Sequence, residues 1–215
     1  MHTVKPRGFD FMAESIQTSN AKAKSQTNSN IIGILRLDGI QEAVNVADGR
    51  AMQLMETCIW CLDYCQHPNG VPLRIVDAGG KCFYRVTWPK DSTDLETIRR
   101  TYNKDDATED GAEALAFLIC VERTDYTIVE RASTKTGIDY WLGFKDKSPN
   151  QPFYKAGRLE ISGIMAENKS NKVTTRVQSK LRQTAPTDYS SFPVYVIVVE
   201  FSEPYASMVL KNVNR

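Results

Sequence analysis

The apolar residues fall into short runs and stripes separated by polar stretches, and their spacing predicts the elements. Residues 1–30 are rich in Ser, Asn, Gln, Thr and Lys, the composition of a flexible polar arm. The run I-I-G-I-L-R-L at 31–37 reads as a strand or a docking segment. From 47 to 66 the period is helical, with Ala51, Leu54, Met55, Cys58, Cys61, Leu62 and Cys65 on one face. His67-Pro68-Asn69-Gly70 ends that helix. Runs at 71–76 and 81–88 flank Asp77-Ala78-Gly79-Gly80, the pattern of a β-hairpin. A polar stretch over 89–106 then predicts a loop or a short helix.

In the second half, Asp106 is a candidate cap for a helix that reaches about residue 124. The later part of that helix is apolar nearly all round, as a buried helix would be. Strands are expected at 126–132, 138–144 and 158–165, with a polar loop carrying Pro149 and Pro152 before the third. A polar helix over 171–184 has Val173, Val177 and Leu181 at steps of four, and Pro186 closes it. The run F-P-V-Y-V-I-V-V-E-F at 192–201 is apolar on both faces, as an interior strand covered on both sides must be. The expected fold is α/β, a mixed central sheet flanked by helices. Three regions are expected: the arm at 1–30, a helix and hairpin at 31–105 that form an accessory part or extend the same sheet, and an α/β core at 106–215.

Composition narrows the function classes. The 215 residues carry a formal net charge of +1, so any attraction to nucleic acid must come from a local patch. Two histidines, His2 and His67, disfavour Ser-His-Asp hydrolases and His-rich metal enzymes. Five cysteines and no export-signal pattern point to reduced thiols and a cytoplasmic setting. No apolar run approaches the roughly 18 residues of a spanning helix. Cys58, Cys61, Cys65 and His67 could suggest zinc, but the cysteines lie along one helix stripe and are read as buried free thiols. Gly79-Gly80-Lys81 is a hairpin turn, since the upstream glycine and the following Ser/Thr of a phosphate-binding P-loop are absent.

Candidate chemistry sits at 128–162. Asp139 and Glu160 each place a carboxylate in a strand that otherwise favours burial, which is costly without a partner. One shared divalent cation would serve both. Lys169, Lys172, Arg176, Lys180 and Arg182 then form a basic stretch with no acid between them, fit for phosphate contact or simply for solvation. Tyr140 and Trp141 are read as core aromatics before base-stacking ones.

The order αβββαβ, with an acid on the first helix, Asp139 in G-I-D-Y-W-L and Glu160 in R-L-E-I-S-G, resembles the PD-(D/E)xK nuclease superfamily, the restriction-endonuclease-like fold. The likeness covers roughly residues 106–201. It implies an endonuclease that hydrolyses nucleic-acid phosphodiesters, with DNA as the expected substrate, in a defence or mobile-element system. It also implies Mg²⁺ or Mn²⁺ held by Glu109, Asp139 and Glu160, with Glu113 as the alternative on the helix. Glu109 has a structural role in reserve, since with Asp106 as cap it would complete a capping box. The family's third-strand motif ends in Lys two residues after the Glu, and here that position is Ser162. The resemblance then implies a cation from the following helix: Lys180 first, with Gln183 or Gln178 supporting a phosphate or water. Lys172, Arg176, Lys180 and Gln183 are the expected nucleic-acid contacts. A homodimer or a partner protein of the same system is the expected assembly. The competing expectation is a catalytically silent subunit of the same fold that binds or scaffolds.

Overall fold

The computed structural model describes residues 31–90, 94–146 and 153–212. The predicted arm and the loop prolines Pro149 and Pro152 lie outside them. In chain order the elements are β1 (Ile31–Arg36), a 3-10 turn (Leu37–Gly39), α1 (Ile40–Ala43), α2 (Asp48–Tyr64), β2 (Val71–Asp77), β3 (Gly80–Thr87), α3 (Leu95–Thr101) and α4 (Lys104–Arg123). Then follow β4 (Tyr126–Arg131), β5 (Tyr140–Phe144), β6 (Gly157–Ile164), α5 (Val173–Gln183), a second 3-10 segment (Ala185–Ser190), β7 (Val194–Glu200) and β8 (Tyr205–Lys211). The chain is a mixed α/β structure around an eight-stranded sheet of order β1-β3-β2-β8-β7-β6-β5-β4. The pairs β1–β3, β2–β8 and β6–β7 are parallel and the others antiparallel. None of the described helices is long and apolar enough to cross a membrane.

β8 has no counterpart among the predicted strands. Its sequence, Y-A-S-M-V-L-K, carries Ala and Ser and alternates only weakly. Its extended form is held from both sides, by β7 in antiparallel and β2 in parallel register. Through it the hairpin β2–β3 joins the same sheet as β4–β7 rather than standing apart.

The two faces of the sheet differ. On one, α2 and α4 cover the larger core, to which Leu159, Ile161, Ile197 and Val199 contribute. On the other, α5 packs Val173 and Val177 against Ile164, Val194, Val196 and Val198. Alternation along β6 therefore sends Leu159 and Ile161 toward α4, and residues 160, 162 and 164 toward α5. Gly163 lets α4 come close, since a Cβ there would lie 2.1 Å from the Thr108 carbonyl oxygen. Burying one face of β6 against each helix is what fixes this register, because a slip by one residue would exchange the faces.

Candidate active site

Asp139 immediately precedes β5, where the backbone has just left a tight turn. Gly137 sits at φ +76°, and a Cβ there would fall 2.0 Å from the Gln183 carbonyl oxygen. Only glycine permits both that conformation and that contact. The turn brings the β4–β5 connection against the C-terminal end of α5. Asp139 is then locked into the sheet: its N–H donates to the Leu159 carbonyl at 2.9 Å and its carbonyl accepts from Ala132 N–H at 2.8 Å. Its Oδ2 accepts from the Ile161 N–H at 2.8 Å. The carboxylate thereby lies across β6, beside the next carboxylate along.

That neighbour is Glu160, which is fully buried. Its Oε1 accepts from Lys180 Nζ at 2.5 Å, while its Oε2 is buried without a hydrogen-bond partner. Burial pushes the Glu160 carboxyl up to about 7; the negative charge of Asp139 and the hydrogen bond a protonated Glu160 gives Asp139 add to the rise, and Lys180 opposes them. Two crowded carboxylates with one cation between three charges leave the cluster short of positive charge.

The cation comes from α5. Arg176, Lys180 and Gln183 follow at steps of four and three, next to the buried Val173/Val177 stripe. Lys180 meets Glu160. Arg176 donates through Nη1 to Ser162 Oγ at 3.0 Å and through Nη2 to Asn171 Oδ1 at 2.8 Å. Ser162, two residues after Glu160 on β6, thus holds a hydroxyl bonded to Arg176, with Lys180 one turn further along the helix. Gln183 lines a cavity with Asp139. Lys172 and Gln178 are exposed.

The helix carboxylates stand elsewhere. The cap of α4 is Asn103, not Asp106: its Oδ1 accepts from the N–H groups of Asp105 and Asp106, each at 3.0 Å. Starting the helix earlier moves Glu109 into its second turn, so no Asp106/Glu109 capping box forms. Glu109 is exposed and borders a separate polar cleft with Lys104 and Asn168. Glu113 is buried on the α4 face, where Arg50 Nη2 donates to its Oε1 at 2.8 Å and the Tyr140 hydroxyl at 2.6 Å. Burial raises its carboxyl, against the pull of those two donors. The set Glu109, Asp139, Glu160 is therefore not assembled, and among the described residues no three His, Cys, Asp or Glu side chains are grouped to hold a metal. The reason is strand alternation: Glu160 points to α5, while α4 covers the opposite face.

The chain matches no known family model, no curated protein and no solved structure. Function must be argued from its own residues.

The cysteine stripe is absorbed by packing. Cys58 and Cys61 are buried, their thiols pushed up by burial, and Cys61 Sγ donates to the Ala107 carbonyl at 3.0 Å. His67 Nε2 lies 2.9 Å from the Phe201 carbonyl oxygen, well occupied by backbone. Tyr140 is buried with its ring edge-on to Phe117, and Trp141 is half-buried with Lys155 over its ring. One feature was not singled out in the sequence: the R-A-S-T-K-T-G connection before Asp139 lines the cavity that opens onto it. Its run of cations and hydroxyls ahead of the acid is the signal that marks it.

Proposed function

We propose that the chain is a divalent-metal-dependent nuclease whose centre is Asp139, Glu160 and Lys180, with DNA as its substrate. The observation that carries this reading is the meeting of three charged side chains from three elements, one of them a buried carboxylate with an unpartnered oxygen. A buried acid left that way is expensive, and a cation bound between the carboxylates would offset the cost. Two carboxylates fit Mg²⁺ or Mn²⁺, since Mg²⁺ is usually held by one or two protein carboxylates with water and substrate phosphate completing its shell. Glu109 is not needed for such a set.

When bound, the metal would polarise the phosphoryl oxygen and supply an activated water. The chain's own residues do the rest. Asp139 and Glu160 would hold the ion, with Asp139 oriented by the Ile161 amide. Lys180 favours the ionised form of Glu160 against burial and Asp139, and would offer its charge to the scissile phosphate. Arg176 on α5 and Lys172 at its N-cap would extend that positive charge for the phosphate backbone, with Gln183 at the other end as an uncharged donor. The free thiols suit a reducing cytoplasm, and a second copy or a partner of the same system would supply the other strand's centre.

The test is cleavage of duplex and single-stranded DNA in Mg²⁺. Asp139→Ala and Glu160→Ala should each lower the rate by about 10³-fold or more, on the order of 4 kcal/mol in the barrier, while circular dichroism stays unchanged. Unchanged cleavage by either folded variant rejects the assignment.

A second reading is favoured by one observation: Lys180 already neutralises Glu160, whose side chain is fully enclosed. On that reading the cluster is a retained ion pair in a binding or scaffolding subunit. Such a protein takes up no Mn²⁺ at Asp139 and cuts nothing.

A further inference from the structure

The β4–β5 connection forms one wall of a cavity of about 380 Å³ lined by Arg131, Ser133, Thr134, Lys135, Asp139 and Gln183, among others. That volume is at the small end of ligand pockets, enough for one nucleotide unit and too little for a duplex. Its lining carries two cations, two hydroxyls and an amide around a single carboxylate, and that carboxylate is the proposed metal ligand.

The loop is held firmly. Thr136 Oγ1 donates to the Ser133 carbonyl at 2.7 Å and to the Ile138 carbonyl at 3.2 Å, tying both sides of the turn together. Gly137 rests against the Gln183 carbonyl at the end of α5. Between them Lys135 is kept at φ +72°, a conformation that a lysine adopts only where the surroundings impose it. Lys135 is exposed and has no ion-pair partner among the described residues. Arg131 is exposed as well, and Nη1 lies 3.4 Å from the Tyr140 hydroxyl. A turn at positive φ that presents Lys135, without an ion-pair partner among the described residues, beside Asp139 has the chemistry of an anion site, with Arg131, held on Tyr140, close by.

We propose that this loop is a phosphate-binding element: Arg131, Ser133, Thr134 and Lys135 hold one phosphodiester of the substrate strand, next to the one at Asp139 and Glu160. The inference rests on the nuclease reading and adds a second wall to its binding cleft, at the C-terminal end of α5. A strand entering there is gripped between the turn and Gln183, and its next phosphate falls over Asp139.

The experiment is equilibrium binding of fluorescent single-stranded and duplex DNA in EDTA, where nothing is cut, at several salt concentrations. Lys135→Gln and Thr134→Ala are compared with wild type, with Lys135→Arg as the charge-restoring variant and Lys172→Gln as a reference on α5. Lys135→Gln should weaken binding several-fold at low salt and reduce the slope of log K against log salt by about one, and Lys135→Arg should restore both. If wild type binds and cleaves, and Lys172→Gln weakens it while the loop variants bind as wild type does, the loop proposal is overturned and the nuclease reading stands. If wild type itself binds no DNA, the nuclease reading falls and takes the loop with it. Thermal melts of each variant equal to wild type exclude loss of fold as the cause.

Discussion

Glu113 and Glu160 are buried carboxylates on opposite faces of the same sheet, and they have opposite fates. Glu113 receives Arg50 and Tyr140 on one oxygen, and Arg50 is shared with Asp110. Arg131 adds positive charge nearby, and the surroundings of Glu113 are packed with α2 and α4. Glu160 receives only Lys180, keeps one oxygen without a partner, and has Asp139 as a near neighbour. Burial raises both carboxyls. Arg50 Nε is also buried without a partner among the described residues, so the difference lies in the carboxylates themselves: two donors meet Glu113 and one meets Glu160. A satisfied buried acid holds a structure together, while an unsatisfied one beside a second acid is where a cation would lower the energy.

The comparison breaks first if Glu113 proves dispensable. Glu113→Ala leaves the Tyr140 hydroxyl buried without its acceptor and removes one of two acids from Arg50. The expected loss is about 3 kcal/mol in urea unfolding, with uptake of divalent metal retained. A loss under about 1 kcal/mol would show that the α4-face network is not structural.

The pH dependence of stability sharpens the contrast. The Glu160 pKa lies at about 7 in the folded chain against an ordinary 4.5, so the native state holds the proton more tightly than the unfolded chain does. The stability this provides is present in full below 4.5 and is lost as pH rises through about 7. The melting temperature should fall over that window, and Glu160→Gln should flatten most of the fall, leaving the part due to Glu113. From the distance between those two values the effect is roughly 3 kcal/mol as an upper limit. If the proposed metal site exists, Mg²⁺ would compete with that proton, and it should then raise the melting temperature at pH 8 and leave it unchanged at pH 5. A Glu160→Gln variant with the wild-type pH profile would contradict the assignment of the raised carboxyl.

Part of this arrangement was legible in the residues. Asp139 and Glu160 stood out because acids conflict with the strand pattern around them, while Lys180 came from the family resemblance, which implies a cation on the helix that follows. The helix acid was not legible. Placing Glu109 beside Glu160 requires knowing which face of β6 meets which helix, and that depends on the pairing of β6 with β7 and on the close approach at Gly163. The start of α4 was misplaced because Asn103 and Asp106 are both good caps, and only the amide geometry decides between them. β8 was missed for a related reason: its weak local pattern is overridden by two neighbouring strands. The placement of residues 31–105 in the same sheet follows from that one strand.

The smallest expected effect belongs to Glu109. Exposed on its own cleft, it should tolerate Glu109→Gln within about 0.5 kcal/mol of stability and with no change in metal uptake or cleavage. A variant that lost metal would return the third carboxylate to the centre and undo the contrast between the two faces.

The most direct measurement is calorimetric titration of Mn²⁺ into the wild-type protein, Asp139→Ala and Glu113→Ala at pH 8. The account predicts saturable uptake by wild type and by Glu113→Ala, and none by Asp139→Ala. Absence of heat in wild type, or the same isotherm in Asp139→Ala, would contradict it.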